Sequence, residues 1–344
     1  MRCAGPPNHF SPRRRAMPSR KRKPLVYIHR LEWNPYEYYM NEENEKLLQS
    51  FAEVRNDGNV REPMTHEALV ERLRGVEAIL SLNGSRAPEI TREVLEEVGT
   101  VRVAAVSHWW GDLSAKAAEA WRQAGVEVID ASDACNQAVG EWALGAIIAG
   151  LRRFDEFDRR MKSGEKWPSW RGVAGQLNGA TVGLVAVGRT GRWLLRYLKP
   201  FDCRVIAYDP YMKKKEAKEL GIELVDLPTL LRTADAISLH APVTPETTGM
   251  IGRKELAMIR DGALLVNSAR AALLDNDAFR DEMKKGRFRA YIDVFQPEPP
   301  PEDDVLRTLN NIVMTPHVAG TTDAMYHRCG QMAIQAIRDY LERA

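Results

Sequence analysis

Short runs of apolar, largely β-branched residues alternate along the chain with segments whose apolar residues recur every three or four positions. The runs predict buried strands, and the segments between them predict amphipathic helices. Such alternation is typical of parallel α/β sheets. The first series has predicted strands at residues 25–29, 78–82, 101–107 and 126–131, with helices at 91–98 and 113–124.

A long helical pattern over residues 137–162 and a connector rich in Pro, Trp and Gly over 164–179 lead to a second series. Its predicted strands are 182–187, 204–208, 236–239, 263–266, 289–294 and 311–314. Its predicted helices are 191–198, 214–220, 227–233, 253–259 and 276–285, followed by a last helix at 323–342. The chain is therefore predicted to form two α/β domains, each built on a doubly wound parallel sheet.

Charge is unevenly distributed along the chain. Residues 1–23 carry eight basic side chains and no acidic one, whereas the remainder holds more acids than bases. We interpret this basic tail as disordered, or as lying upstream of a true start at Met17. The acidic body argues against a nucleic-acid partner. With no apolar run of membrane-spanning length and four scattered cysteines, the sequence favours a cytoplasmic protein without membrane or metal partners.

A glycine turn follows the first predicted strand of the second series. Gly188-Arg189-Thr190-Gly191 leads directly into a predicted helix. Backbone N–H groups of such a turn, together with the helix N-terminus, hold a pyrophosphate. The usual G-x-G-x-x-G pattern would place glycine at position 186, where this chain has Ala186. The context of strand, turn and helix nevertheless indicates a dinucleotide site.

Asp209 supplies a second cofactor signal. It ends the next predicted strand, 18 residues after Gly191, where a carboxylate binds the adenosine ribose hydroxyls. A carboxylate there repels a 2′-phosphate, which favours NAD and NADH over NADP. The exposed-looking run Lys213–Lys215 would soften this preference, and an Asp-Pro turn is the structural alternative for Asp209.

Three side chains suited to acid–base chemistry or carboxylate binding follow predicted strands of the second series: Arg270, Glu298 and His317. Carboxyl ends of parallel strands share one sheet edge, where doubly wound folds bind ligands. Histidine suits acid–base chemistry near neutral pH, a carboxylate beside it orients the ring, and arginine binds carboxylates with two N–H groups. Each side chain alone is typical of ordinary surface structure, but the three together match the residue types that oxidation of a 2-hydroxy acid would require.

From about Pro24 to its end, and most strongly between Thr181 and Thr321, the chain resembles the D-isomer-specific 2-hydroxyacid dehydrogenase family. The resemblance implies an NAD-dependent oxidoreductase (EC 1.1.1.-) that interconverts small 2-hydroxy and 2-keto acids. It implies a flavodoxin-like substrate domain of residues 24–136 plus 321–344, a Rossmann NAD domain of residues 137–320, and a cleft between them. It also implies a homodimer in which the helix from Gln137 packs across the two-fold axis.

The resemblance assigns roles to individual residues. His317 would be the acid–base group, Glu298 its partner, and Arg270 the group that binds the substrate carboxylate and carbonyl. Asp293 would hold the nicotinamide carboxamide. The cofactor set it implies is Gly188, Arg189, Thr190, Gly191, Asp209, His240, Pro242, Thr248, Ala269, Asp293 and Gly320. The substrate set it implies is Asn83, Gly84, Trp109, Trp110 and Arg270.

Departures from the family pattern bear on the substrate more than on the reaction. Ala186 and Ala271 stand where relatives commonly have glycine, and Trp109-Trp110 replace a small turn that meets the substrate carboxylate. The two tryptophans either pack at a domain interface or form a reshaped aromatic pocket.

A non-enzymatic NAD-binding, corepressor-like scaffold is the alternative function. A formate dehydrogenase is disfavoured because those relatives pair the histidine with glutamine, and a phosphite oxidase is a minor alternative.

Overall fold

The structure of the protein, a computed structural model, describes residues 22–29, 35–57, 62–82, 89–107, 112–169 and 174–343. The described chain divides into two units. The first unit contains the residues up to Ala131 together with those from Gly330 onward, and the second is Ser132–Cys329. No helix within these ranges combines the length and the apolar character needed to cross a bilayer.

The first unit is built on a parallel sheet. Its elements are β1 (Leu25–His29), α1 (Tyr36–Tyr39), α2 (Glu42–Phe51), β2 (Glu53–Asn56), α3 (His66–Leu73), β3 (Ala78–Ser81), α4 (Arg92–Val98), β4 (Val103–Val106), α5 (Asp112–Gln123) and β5 (Glu127–Asp130). The strand order is β2-β1-β3-β4-β5, with every pair parallel. Every residue of β1, β3 and β4 is buried, as expected for strands covered by helices on both faces.

The second unit is a larger parallel sheet. Its elements are α6 (Asp133–Arg152), α7 (Phe154–Lys162), β6 (Thr181–Val185), α8 (Arg189–Leu198), a 3₁₀ helix (Lys199–Phe201), β7 (Arg204–Tyr208), α9 (Lys214–Leu220), β8 (Glu223–Leu224), α10 (Leu227–Thr233), β9 (Ala236–Leu239), α11 (Arg253–Met258), β10 (Leu264–Asn267), a 3₁₀ helix (Ala271–Leu273), α12 (Asn276–Lys285), β11 (Arg289–Ile292), a 3₁₀ helix (Val305–Thr308) and β12 (Ile312–Met314). A final helix, α13 (Asp323–Arg343), continues into the first unit.

The strand order of the second unit explains where a ligand would bind. The order is β12-β11-β10-β9-β6-β7-β8, again with every pair parallel. The chain winds outward in one direction from β6 through β7 and in the other from β9, so the switch point lies between β6 and β9. Doubly wound sheets bind ligands at the carboxyl ends of the strands beside this point. The two all-parallel sheets confirm the predicted fold class.

The prediction of one continuous helix over residues 137–162 is wrong. Arg153 adopts a left-handed conformation with φ of 54° and separates α6 from α7. The break turns Asp155 and Glu156, in the first turn of α7, toward the buried Arg289 at the start of β11. A buried guanidinium needs such partners, because an unpaired buried charge is strongly destabilising. The first turn of α7 therefore supplies the two carboxylates that pair with the buried Arg289 guanidinium.

Candidate active site

His317 and Glu298 form a direct contact at the carboxyl edge of the second sheet. His317 follows β12 and Glu298 follows β11, and His317 Nδ1 lies 2.8 Å from Glu298 Oε2. The Phe295 N–H donates to the other carboxylate oxygen, Glu298 Oε1, at 3.2 Å. A carboxylate at Nδ1 favours a proton on that nitrogen and orients the ring. The opposite nitrogen, Nε2, is then the one that can exchange a proton with a ligand.

The backbone of His317 lies in an unusual conformation. Its φ is 56°, in the left-handed region that non-glycine residues rarely adopt. Its N–H donates to the carbonyl of Thr315 at 3.0 Å, which closes a tight turn around Pro316. Such a conformation lowers the free energy of unfolding by about 1 kcal/mol or more, and it persists only where surrounding contacts impose it.

Asp293 provides contacts that impose this turn. It is fully buried directly after β11, and its carboxylate accepts three hydrogen bonds from the loop that follows β12. Thr315 Oγ1 donates to Oδ1 at 2.5 Å, the Val318 N–H to Oδ1 at 2.9 Å, and the Ala319 N–H to Oδ2 at 2.8 Å. Asp293 thus anchors the His317 loop on both sides of the histidine. A contact between Asp293 and nicotinamide stays a prediction.

Arg270 follows the neighbouring strand β10 and lies three residues beyond its end. Its backbone is extended and its side chain is exposed, with Nη1 donating to the Ala269 carbonyl at 2.7 Å. The buried side chain of Asn267, which sequence analysis did not single out, bonds to the same turn. The signal available in the sequence was an asparagine between an apolar strand and a turn.

The glycine turn after β6 is too tight for a side chain at Gly191. A Cβ on Gly191 would lie 2.9 Å from the carbonyl oxygen of Ala186. Gly188 is the N-cap of α8, so the helix N-terminus opens at this turn without a capping side chain. Thr190 Oγ1 donates to Asn136 Oδ1 in the first turn of α6 at 2.8 Å. Glycine at both ends of the turn allows a ligand to approach its backbone N–H groups, as pyrophosphate binding requires.

Ala186 pays a conformational cost in this turn, since its φ is 69°. We expect Ala186→Gly to stabilise the protein by about 1 kcal/mol, because glycine adopts this conformation without the Cβ clash. That gain corresponds to a rise in Tm of about 2–4 °C for a unit of this size. Thermal unfolding followed by circular dichroism measures it. Ala143→Gly, in the interior of α6, is the control and should lose about 1 kcal/mol or more.

Asp209 joins the end of β7 to the glycine turn. Its Oδ2 accepts the Val187 N–H at 2.9 Å, and its Oδ1 accepts the Tyr211 N–H at 3.0 Å. The first bond holds the carboxylate beside the turn, and the second forms the Asp-Pro turn that sequence analysis left as an alternative. The lysines that follow, Lys213–Lys215, are exposed at the start of α9. Ribose binding by Asp209 stays a prediction.

Two shielded polar atoms at this edge have no hydrogen-bond partner among the described residues: His240 Nε2 and Ser268 Oγ. Burial lowers the pKa of His240 to about 4, so the imidazole is neutral at physiological pH. Its Cδ2 would lie 3.6 Å from a Cβ on Gly191, which places the ring against the glycine turn. Unpaired buried polar groups are costly, and a bound ligand would supply their partners. These residues fit a dinucleotide cofactor.

The neutral state of His240 predicts a loss of stability in acid. The unfolded chain protonates this histidine near its ordinary pKa of 6.5, whereas the folded protein does so near 4. Stability should therefore fall as the pH drops from about 6.5 to about 4, by roughly 2 kcal/mol after allowance for partial exposure. Urea unfolding of wild type and His240→Asn across this range measures the effect. Parallel stability curves for the two proteins would contradict the assignment.

Other predicted cofactor residues occupy the same edge. Gly320 follows the His317 loop, and a Cβ there would lie 2.7 Å from Cys135 Sγ of α6. Pro242 and Thr248 bound an exposed turn after β9, in which Thr248 Oγ1 donates to the Thr244 carbonyl at 2.7 Å. The predicted substrate residues Asn83, Gly84, Trp109 and Trp110 lie outside the described residues.

Across the part of the chain that is described, no cluster of three metal-ligating side chains is found.

Comparison with protein families matches residues 144–319, just over half of the chain, to the model described as "D-isomer specific 2-hydroxyacid dehydrogenase, NAD binding domain". The chain is 32% identical to the D-3-phosphoglycerate dehydrogenase of Methanocaldococcus jannaschii over 304 residues, which are 88% of this chain and 56% of that protein. The chain thus spans about half the length of that relative. It is 31% identical to the glyoxylate reductase of Thermococcus litoralis over 87% of this chain and 88% of that protein.

A solved structure of similar fold is that of a D-lactate dehydrogenase from Treponema pallidum. It aligns with a TM-score of 0.71 at 27% identity and covers 92% of this chain and 96% of that one. These relatives are named as dehydrogenases and a reductase. They lend no support to the alternative of a non-enzymatic scaffold.

Proposed function

Since the chain belongs to the D-isomer specific 2-hydroxyacid dehydrogenase family, we propose that it interconverts a small 2-hydroxy acid and its 2-keto acid with a nicotinamide cofactor. The observation that carries this proposal is the contact between His317 Nδ1 and Glu298 Oε2 at 2.8 Å. This pair follows β11 and β12, and Arg270 follows the adjacent β10. The three groups together supply proton transfer and carboxylate binding at one sheet edge.

His317 moves the proton. In the oxidative direction, Nε2 accepts the hydroxyl proton of the 2-hydroxy acid, and in the reductive direction it returns that proton to the carbonyl oxygen. Glu298 stabilises the imidazolium that forms when both ring nitrogens are protonated. The bond from the Phe295 N–H holds the Glu298 carboxylate in place, so the ring keeps one orientation through the reaction.

Arg270 binds and polarises the substrate. Its guanidinium presents parallel N–H groups that match a carboxylate or a carboxylate–carbonyl edge. Its contact with the Ala269 carbonyl is a hydrogen bond to an uncharged acceptor, and it can exchange this acceptor for a charged substrate oxygen. A positive charge beside the carbonyl oxygen stabilises the negative charge that develops there during reduction.

The second unit holds the cofactor in this proposal. When bound, nicotinamide supplies the hydride acceptor or donor. The backbone of Gly188–Gly191 would hold the pyrophosphate, and Asp209 would bind the adenosine ribose. His240 and Ser268 would pair their unpartnered atoms with the cofactor. The Asp209 carboxylate favours NAD and NADH over NADP, because it would repel a 2′-phosphate.

The substrate class in this proposal is small 2-hydroxy acids, in keeping with the names of the relatives. A homodimer, with α6 packed across the two-fold axis, is proposed from the family resemblance alone. Substrate binding by Asn83, Gly84, Trp109 and Trp110 belongs to the same proposal. It assigns residues 24–136 plus 321–344 as the substrate-binding domain.

Oxidation of NADH by purified protein tests the function. The panel would contain glyoxylate, hydroxypyruvate, phenylpyruvate and branched 2-keto acids, each offered with NADH and with NADPH. Turnover of at least one acid with preference for NADH is expected. Binding of NADH without turnover of any acid would overturn the proposed reaction, and preference for NADPH would overturn the role of Asp209.

A further inference from the structure

Asn267 joins a buried strand to the turn that carries Arg270. It is the last residue of β10 and has no exposed surface. Its Oδ1 accepts the Ala269 N–H at 3.1 Å, and its Nδ2 donates to the Arg270 carbonyl at 3.0 Å. One amide side chain therefore bonds to both residues of the turn, once as acceptor and once as donor.

These two bonds act on the backbone from which the Arg270 side chain projects. The Arg270 carbonyl also accepts the Leu273 N–H at 3.3 Å, so the 3₁₀ helix holds the turn from the other side. The guanidinium itself donates a hydrogen bond to the Ala269 carbonyl. The end of the Arg270 side chain is exposed, whereas the backbone from which it projects is held by Asn267.

A polar side chain at this fully buried strand position costs free energy unless its hydrogen bonds are made. The rest of β10 is Leu264, Leu265 and Val266, all buried, and a buried amide stabilises only when its hydrogen bonds are made. Every side-chain bond found for Asn267 goes to the Arg270 turn. Directly after the next strand, β11, Asp293 bonds to the His317 loop that follows β12, and the Asp293 N–H donates to the Asn267 carbonyl at 3.0 Å. Two adjacent buried polar residues thus hold the two loops.

We propose that Asn267 is a positioning residue for Arg270, which fixes the origin of the guanidinium for substrate binding. The proposal rests on the function proposed above. Its physical basis is that a displacement of about 1 Å in a substrate-binding group can lower the rate about 100-fold. Alanine at 267 would leave the Ala269 N–H without its acceptor and release the turn, while the strand pairing of β10 would remain.

A double-mutant cycle in NADH-dependent reduction of the best keto acid tests this role. The four proteins are wild type, Asn267→Ala, Arg270→Met and the double variant. We expect Asn267→Ala to lower kcat/KM by about 10- to 100-fold in the wild-type background. In the Arg270→Met background it should lower kcat/KM by less than about 2-fold, because no guanidinium remains to be misplaced. A merely structural role would lower kcat/KM by the same factor in both backgrounds.

Asn311 supplies the matched control. It precedes β12, and its Nδ2 donates to the carbonyls of Met283 and Phe288 at 3.0 and 3.1 Å. Asn311→Ala should lower Tm as Asn267→Ala does, yet change kcat/KM by less than about 2-fold. Equal factors for Asn267→Ala in the two backgrounds would overturn the inference while leaving the function intact. Absence of turnover by wild type would overturn the function, and this inference with it.

Discussion

His317→Ala should lower kcat by about 10²- to 10⁴-fold, the usual contribution of a positioned acid–base group. The variant keeps Arg270 and the glycine turn, so substrate and NADH should still bind, and KM should change far less than kcat. The loss should appear in both directions, because in the proposed reaction the same Nε2 accepts the proton in oxidation and returns it in reduction. Steady-state kinetics with NADH and the best 2-keto acid, and with NAD and the matching hydroxy acid, measure it.

His66 offers a control with the same local chemistry. In the first unit, His66 Nε2 lies 2.8 Å from Glu97 Oε2 on an exposed surface. His66→Ala removes a comparable histidine–carboxylate contact that does not belong to the proposed site, and kcat should stay within about 2-fold of wild type because such surface pairs contribute little. Retention of most activity by His317→Ala would refute the proposed role of the histidine.

Asp293→Asn should damage both stability and catalysis. The asparagine fits the same space, but its amide nitrogen cannot accept hydrogen bonds, so at least one of three donors loses its acceptor. We expect a loss of about 2–3 kcal/mol of unfolding free energy, which is the cost of leaving a buried donor unpaired. The loosened loop would also displace His317, and kcat/KM should fall by about 10- to 100-fold. Urea unfolding and steady-state kinetics give the two quantities.

Asp235→Asn separates the two effects of that substitution. Asp235 precedes β9 at the opposite edge of the sheet, and its Oδ2 accepts the Thr181 N–H at 2.7 Å. Its replacement should lower the free energy of unfolding, because a backbone N–H again loses a carboxylate acceptor. It should leave kcat/KM near the wild-type value. If Asp293→Asn lowered stability as expected without changing kcat/KM, the idea that Asp293 holds the histidine loop in a catalytic geometry would be wrong.

Hydrophobic pattern was sufficient to predict the sheets, because most strands are buried on both faces and read as continuous apolar runs. The predicted bounds of residues 204–208 and 236–239 coincide with β7 and β9. Glu53–Asn56 was missed because an edge strand of Glu, Val, Arg and Asn has no apolar run. The break at Arg153 was missed because the contacts that accompany it, from Asp155 and Glu156 to the buried Arg289, join residues more than a hundred positions apart in the chain.

At the candidate site, the sequence could predict residue types at strand ends but not their hydrogen bonds. Strand order brings Arg270, Glu298 and His317 to one edge, and parallel topology alone was enough to expect that. The left-handed backbone at Ala186 and His317 has no signal in residue type, since neither is glycine or asparagine. The anchors Asn267 and Asp293 were not predictable as such, because the same residues could have pointed toward a ligand.

The discontinuity of the first unit has a consequence for how the protein is made. The second unit is one contiguous stretch, whereas the first is completed by residues from Gly330 onward, where Ala333, Ile334 and Ile337 are fully buried. On a ribosome, which releases the chain from its N-terminus, the second unit can therefore finish folding while the earlier-synthesised first unit still lacks its part of the last helix, α13. Until that helix emerges, the apolar surface that it covers is available to chaperones.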